Sequence, residues 1–134
     1  MSNQTTDTFY QDCPIRNVLA HICSKWSLLV IYMMHRNESD DNKGEAKSIR
    51  FNALHQTIPD ISQKVLTSTL RSLEADGFVT RKVYAEVPPR VEYALTDRAR
   101  SFIPLVESIT AWALDNMAGI LKDRARAVEN IHFR

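Results

Sequence analysis

The chain has 134 residues, 44% of them hydrophobic and 25% charged, with three glycines and five prolines, the composition of one ordered soluble domain rather than of a disordered or fibrous chain. A formal net charge of +1 supplies no global field for nucleic acid, membrane or acidic partners, so any such partner has to be argued from local clusters. Two cysteines, Cys13 and Cys23, without CxxC spacing, exclude a disulfide scaffold and a CxxC zinc or redox site and point to a reducing, cytoplasmic compartment.

The first twelve residues have neither a basic start nor an apolar core, so they predict a frayed tail rather than a signal peptide. "CPIRNVLAHIC" then places a proline inside a helix start, with Ile15, Val18, Leu19 and Ile22 on one apolar stripe. Ser24 is the cap expected for a second helix, "KWSLLVIYMMHR", apolar enough to be buried on all sides. Its longest apolar run, Leu28 to Met34, falls far short of the roughly 20 residues of a membrane span, which argues against a membrane partner.

"RNESDDNKGEAKS", Arg36 to Ser48, has no apolar period and predicts an exposed loop. "IRFNALHQTIP" brings Phe51, Leu54 and Ile58 to helical spacing before Pro59, and a short turn leads to Ser62. The next segment, "SQKVLTSTLRSLEADGF", opens on an N-cap residue and closes on a glycine, so a helix from Ser62 to Asp76 is expected. Two helices joined by a short turn form a helix-turn-helix.

After Gly77 the period becomes alternating. Val79 and Val83, then Val91, Tyr93 and Leu95, predict two strands separated by "EVPPR", a hairpin with a proline tip. Thr96 is the expected cap of a long helix bearing Phe102, Leu105, Val106, Ile109, Trp112, Ala113 and Met117, kinked or restarted at Pro104. Gly119 is the expected break before a last charged helix. The expected fold is mainly α (α+β): a winged helix-turn-helix with a two-stranded β-hairpin wing and a C-terminal dimerisation helix. The expected segments are a tail over 1–12, the winged domain over 13–118 and an extension over 119–134.

Lys64, Thr67, Ser68 and Arg71 follow the i, i+3, i+4, i+7 rule and share one face of their helix, opposite Leu66, Leu70 and Leu73. Basic side chains neutralise phosphates, arginine pairs with guanine, and serine or threonine meets phosphates or bases. Ser62 and Gln63 stand at the end that such helices push into a major groove. From Ile61 to Arg90 the net charge is only +2, from Lys64, Arg71, Arg81, Lys82 and Arg90 against Glu74, Asp76 and Glu86. Charge alone therefore supports DNA weakly, and geometry has to carry that reading.

The ordered set "CP", "KW", "RFNAL", "ISQKVLTSTLRSLEADG", "EVPPRVEYALT" and "IPLVESITAWA" resembles the HxlR-type branch of the MarR-like winged-helix transcription regulators, over roughly Cys13 to Ala113. The resemblance implies a homodimer that binds double-stranded operator DNA. Its motif positions imply groove contacts from Ser62, Gln63, Lys64, Thr67, Ser68 and Arg71, and a wing tip of Pro88, Pro89 and Arg90 in the adjacent minor groove. Arg50, Asn52 and Lys25 become the candidates for the phosphate backbone. Members commonly run through a short "GP" turn where this chain carries its longer polar loop; closure entropy grows slowly with loop length, so the fold should tolerate it.

Ile15, Val18, Leu19 and Ile22, with Leu105, Ile109 and Trp112, make broader apolar stripes than so small a domain needs, and the expected dimer interface is placed there, as the resemblance also implies. Cys13 precedes Pro14 at a helix start beside Arg16, where the helix dipole and a cation favour a thiolate. The position is similar to the N-terminal cysteine with which some family members sense oxidants or electrophiles, which makes Cys13 the redox-sensing candidate and a small reactive effector the candidate signal. Cys23, one turn after Leu19, is expected to pack. Ten residues of helix would separate the two sulfurs by about 15 Å, too far for a bridge within one chain.

Enzymes are disfavoured. His21, His35, His55 and His132 show no HExxH spacing, and the chain has no GxSxG and no phosphate-cradling glycine loop. No catalytic residue, metal or cofactor is therefore predicted. The competing reading is a winged-helix protein-interaction module without DNA binding.

Overall fold

The structure, a computed structural model, describes residues 14–38 and 47–132. Cys13, the 1–12 segment and most of the polar 36–48 loop lie outside the described residues. The element order is α1 (Pro14–Ile22), α2 (Lys25–Glu38), β1 (Ser48–Arg50), α3 (Phe51–Thr57), α4 (Gln63–Ala75), β2 (Val79–Tyr84), β3 (Arg90–Leu95) and α5 (Asp97–His132). This is a winged helix-turn-helix, with helices dominant and a small sheet.

Local chemistry sets most of the boundaries. Ser24 Oγ accepts from Ser27 N at 3.3 Å at the start of α2, and Ser62 Oγ accepts from Val65 N at 3.1 Å at the start of α4, each satisfying an orphan donor of a first turn. Gly77 ends α4 with φ +79°, a left-handed conformation that glycine adopts without a Cβ clash. Thr96 serves two elements at once: its hydroxyl donates to Gly77 O at 2.6 Å and accepts from Ala99 N at 3.3 Å, so α5 starts against the exit of α4.

The sheet is antiparallel and three-stranded, in the order β1-β3-β2. The expected hairpin is β2-β3, with Val79 opposite Leu95 and Arg81 opposite Tyr93. The additional strand, β1, pairs Ile49 with Tyr93 and Arg50 with Glu92. Ile49 and Arg50 therefore belong to a strand, not to the start of α3 as the helical spacing had indicated. Val83, expected on the inner side of the hairpin, is exposed.

The core gathers Val30, Ile31 and Met34 of α2, Leu54 of α3, Ile58 and Ile61 of the turn, Leu66, Leu70 and Leu73 of α4, Val79, Tyr93 and Leu95 of the sheet, and Ala99 and Ile103 of α5. α2 is not buried on every side: Trp26, Leu29 and Met33 are half-buried against that core. Phe78 meets Phe102 edge-on with ring centroids 5.9 Å apart, a favoured aromatic geometry. At the end of α2, Glu38 accepts from Arg100 Nη2 at 2.9 Å, and this bond holds the Arg100 guanidinium above its already high ordinary pKa.

α5 is one continuous helix. It passes through Pro104 without a restart and through Gly119 without the expected break. The chain divides into two compact units between Ile103 and Pro104. No single helix among the described residues is long and apolar enough to cross a membrane.

Candidate nucleic-acid interface

α4 is amphipathic in the expected sense. Leu66, Leu70 and Leu73 are buried, and the opposite face carries Gln63, Lys64, Ser68 and Arg71, all exposed, with Thr67 half-exposed among them. Gln63, Lys64, Thr67, Ser68 and Arg71 together line one open groove. The side chains of Gln63, Lys64 and Ser68 make no hydrogen bond to any described residue. Thr67 differs, because its hydroxyl donates to Gln63 O at 2.8 Å. What it offers outward is an acceptor lone pair and a methyl group.

A second cleft of about 640 Å³ lies between this helix and the wing. It brings together Arg50, Asn52, Gln63, Thr67, Pro88, Pro89 and Arg90, with Phe51 and Tyr93 in its wall. Seven of the expected contact residues thus converge in one place although they come from three separate stretches of chain. Ser62 sits at the N-cap beside them. Lys25 lines neither cleft; its ammonium lies over the Trp26 ring, 4.4 Å from the centroid.

Arg90 is held more tightly than a free wing-tip finger. Its guanidinium lies 4.0 Å over the Tyr84 ring and pairs with Glu86 and Glu92, at 3.4 Å in each case, leaving the side chain 25% exposed. Arg50 reaches the same Glu92 at 3.9 Å.

Three groups missed by sequence reasoning belong to this surface. Tyr93 is buried under it, and Arg81, its register partner, pairs with Glu74 of α4 at 3.7 Å. Burial raises the Tyr93 phenol above its ordinary pKa, against the opposing pull of the Arg81 charge. Glu92 is the third. The available signal was the "RVEYAL" alternation, which places Arg90 and Glu92 on one side of a strand and Tyr93 on the other.

The residues expected at a dimer interface separate into two sets. Ile15, Val18 and Leu19 of α1 and Leu105, Ile109 and Trp112 of α5 are exposed. Ile22 is only 8% exposed and belongs to the core, because the last turn of α1 packs inward. Cys23 is corrected: it lies in the turn after α1 and is an exposed free thiol rather than a packing group. Among the described residues no cluster of His, Cys, Asp or Glu could hold a metal ion.

A family model for HxlR-like helix-turn-helix proteins matches residues 21–120. The chain belongs to the HxlR-like helix-turn-helix family. It is 41% identical over 106 residues to the HTH-type transcriptional regulator BH0655 of Halalkalibacterium halodurans, covering 79% of this chain and 86% of the relative. It is 40% identical to YybR of Bacillus subtilis, again an HTH-type transcriptional regulator, over 79% of this chain and 77% of that one. The redox regulator HypR in its reduced form superposes with a TM-score of 0.66 at 36% identity, covering 81% of this chain and 98% of HypR. The transcriptional regulator ytfH of Salmonella typhimurium gives a TM-score of 0.72 at 32% identity, with 87% and 96% covered. This HxlR-like chain is thus a transcriptional regulator of the helix-turn-helix type.

Proposed function

We propose that this HxlR-like regulator binds double-stranded operator DNA as a homodimer, with α4 in the major groove and the β2-β3 wing in the adjacent minor groove. The observation that carries the reading is the division of α4 into a buried leucine face and an outward face whose Gln63, Lys64 and Ser68 lack partners among the described residues. Polar groups so placed can exchange water for base edges and phosphates without breaking an internal bond. Lys64 and Arg71 supply phosphate or guanine contacts, and Arg50, Asn52, Pro88, Pro89 and Arg90 flank the duplex from the second cleft. Ser62 joins the groove contacts at the start of α4, and Lys25 is a backbone contact.

Homodimerisation is supported by the exposed apolar side chains of α1 (Ile15, Val18, Leu19) and α5 (Leu105, Ile109, Trp112). A dimer reads two half-sites about one helical turn, 34 Å, apart. The proposed signal is a small oxidant or electrophile that acts at Cys13 and alters the relative tilt of the two reading heads. The similarity to HypR, a redox regulator, supports it.

Anisotropy titrations of a duplex selected by the protein from a randomised pool test the reading. Affinity should fall steeply with salt, and Lys64→Ala or Arg71→Ala should weaken binding and reduce the salt slope by about one ion each. Unchanged affinity in both variants at moderate salt would remove α4 from the interface. Absence of any salt-dependent duplex binding favours the protein-interaction reading. Identical responses of the wild type and Cys13→Ser to oxidant exclude the thiol as sensor.

A further inference from the structure

Glu92 lies where the wing joins the helix-turn-helix. It sits on the central strand, opposite Arg50 of β1 on one side and Lys82 of β2 on the other. Its side chain is 17% exposed. One carboxylate oxygen accepts from Ser48 Oγ at 3.0 Å, and the other faces Arg90 Nε at 3.4 Å and Arg50 Nε at 3.9 Å. A single acid thus stands between a guanidinium at the head of α3 and a guanidinium at the root of the wing, and both arginines line the same cleft.

For affinity alone an acid at this point is unfavourable, since it repels phosphate and cancels one of the charges whose counterion release drives binding. Its value is geometric. Arginine is a long, rotamer-rich side chain, and a shared carboxylate draws both guanidinium groups toward one point before any ligand arrives, by charge rather than by hydrogen bonding, since Arg90 Nε has no hydrogen-bond partner among the described residues. Glu86 also pairs with Arg90, but it is half exposed and, among the described residues, its ion pair stays within the wing. Glu92 is the group that links the two arginines to each other.

We infer that Glu92 is a specificity-determining residue: it fixes Arg50 and Arg90 relative to one another across the cleft, so both meet the DNA backbone only when the duplex sits in one register on α4. The inference rests on the DNA-binding reading above. Neutralising Glu92 then has two separable effects. The face gains one unit of positive charge, which favours every duplex, and the two arginines lose their common anchor, which removes the preference for the correct one.

The test compares the full chain with Glu92→Gln and Glu92→Asp on two duplexes, one selected by the wild type from a randomised pool and one of scrambled sequence, each across a salt series. For Glu92→Gln the scrambled duplex should bind several-fold tighter with a salt slope steeper by about one ion. The ratio of selected to scrambled affinity should fall roughly tenfold, the scale of one lost specifying contact. Glu92→Asp keeps the charge and shortens the reach by one methylene, so scrambled affinity should stay at the wild-type value while the ratio falls. It reads the same geometry if the glutamine variant melts below the assay temperature. An unchanged ratio in both variants overturns the inference, as does a parallel loss of both affinities, the signature of a merely structural role. If the wild-type chain binds neither duplex, the DNA-binding reading fails and takes this inference with it; wild-type binding with an unchanged variant ratio sinks the inference alone.

Discussion

Arg90 and Tyr84 are register partners at the mouth of the wing, and the guanidinium of one lies 4.0 Å over the ring of the other. The pair closes the hairpin end where the strands part for the exposed Val87 tip. A cation over an aromatic face contributes about 0.5–2 kcal/mol, depending on desolvation. Tyr84→Ala should lower the unfolding free energy by that amount and weaken duplex binding with it, while Tyr84→Phe keeps the ring and leaves both near wild type. Chemical denaturation and anisotropy on the same samples check both outcomes.

The entry and exit of α4 respond to different substitutions. Ser62→Ala removes the acceptor for Val65 N and should cost about 1 kcal/mol, whereas Ser62→Asp should retain the cap. Gly77→Ala forces a side chain into φ +79° and into the Arg98 guanidinium, which donates to Asp76 O at 2.8 Å. The left-handed backbone alone costs roughly 1–2 kcal/mol, and displacement of Arg98 adds to it. Thermal melting should therefore rank Gly77→Ala below Ser62→Ala.

Tyr93 makes stability pH-dependent on the alkaline side. Its phenol is raised by burial, so below its ordinary value of about 10 the group is neutral in folded and unfolded chains and adds no dependence. As pH rises past that value the unfolded chain ionises first, and folded stability falls until the folded phenol titrates too. Tyr93→Phe should flatten the alkaline decline. Denaturation midpoints of both proteins from neutral pH upward measure the difference, and parallel curves would rule it out.

Trp112 is 62% exposed and Ile109 52% exposed on α5. In the proposed dimer both become buried, and a carboxylate placed there would lose its hydration without gaining a partner. Ile109→Glu or Trp112→Glu should shift light-scattering mass from dimer to monomer at micromolar concentration while the circular dichroism spectrum keeps its helical shape. A dimeric mass in both variants would move the interface elsewhere.

Most helices were legible because their signals are local. The serine before α4, the leucines at its inner positions and the glycine after it lie within one short stretch, and each acts through the backbone next to it. The outward stripe of α4 was legible for the same reason. β1 was not: three residues carry no usable period, and Ser48–Arg50 is a strand only because β3 lies beside it. Cys23 was assigned to the wrong environment because a helical stripe gives the angle of a side chain, not what lies opposite it. The continuity of α5 through Gly119 shows that a glycine permits a helix end without requiring one.

By itself the sequence determined the order of elements, the caps, the two-faced character of α4 and the family, all properties of neighbouring residues or of motif order. Only the tertiary structure decided that Arg50 and Arg90 share one carboxylate, that Arg90 braces the wing, and that Tyr93 is buried beneath the cleft. The Ser48 to Glu92 bond spans 44 positions, and no local propensity encodes a contact that depends on two distant strands pairing. Charge counts had left the DNA reading weak; the placement of those charges around two adjoining clefts is what strengthened it.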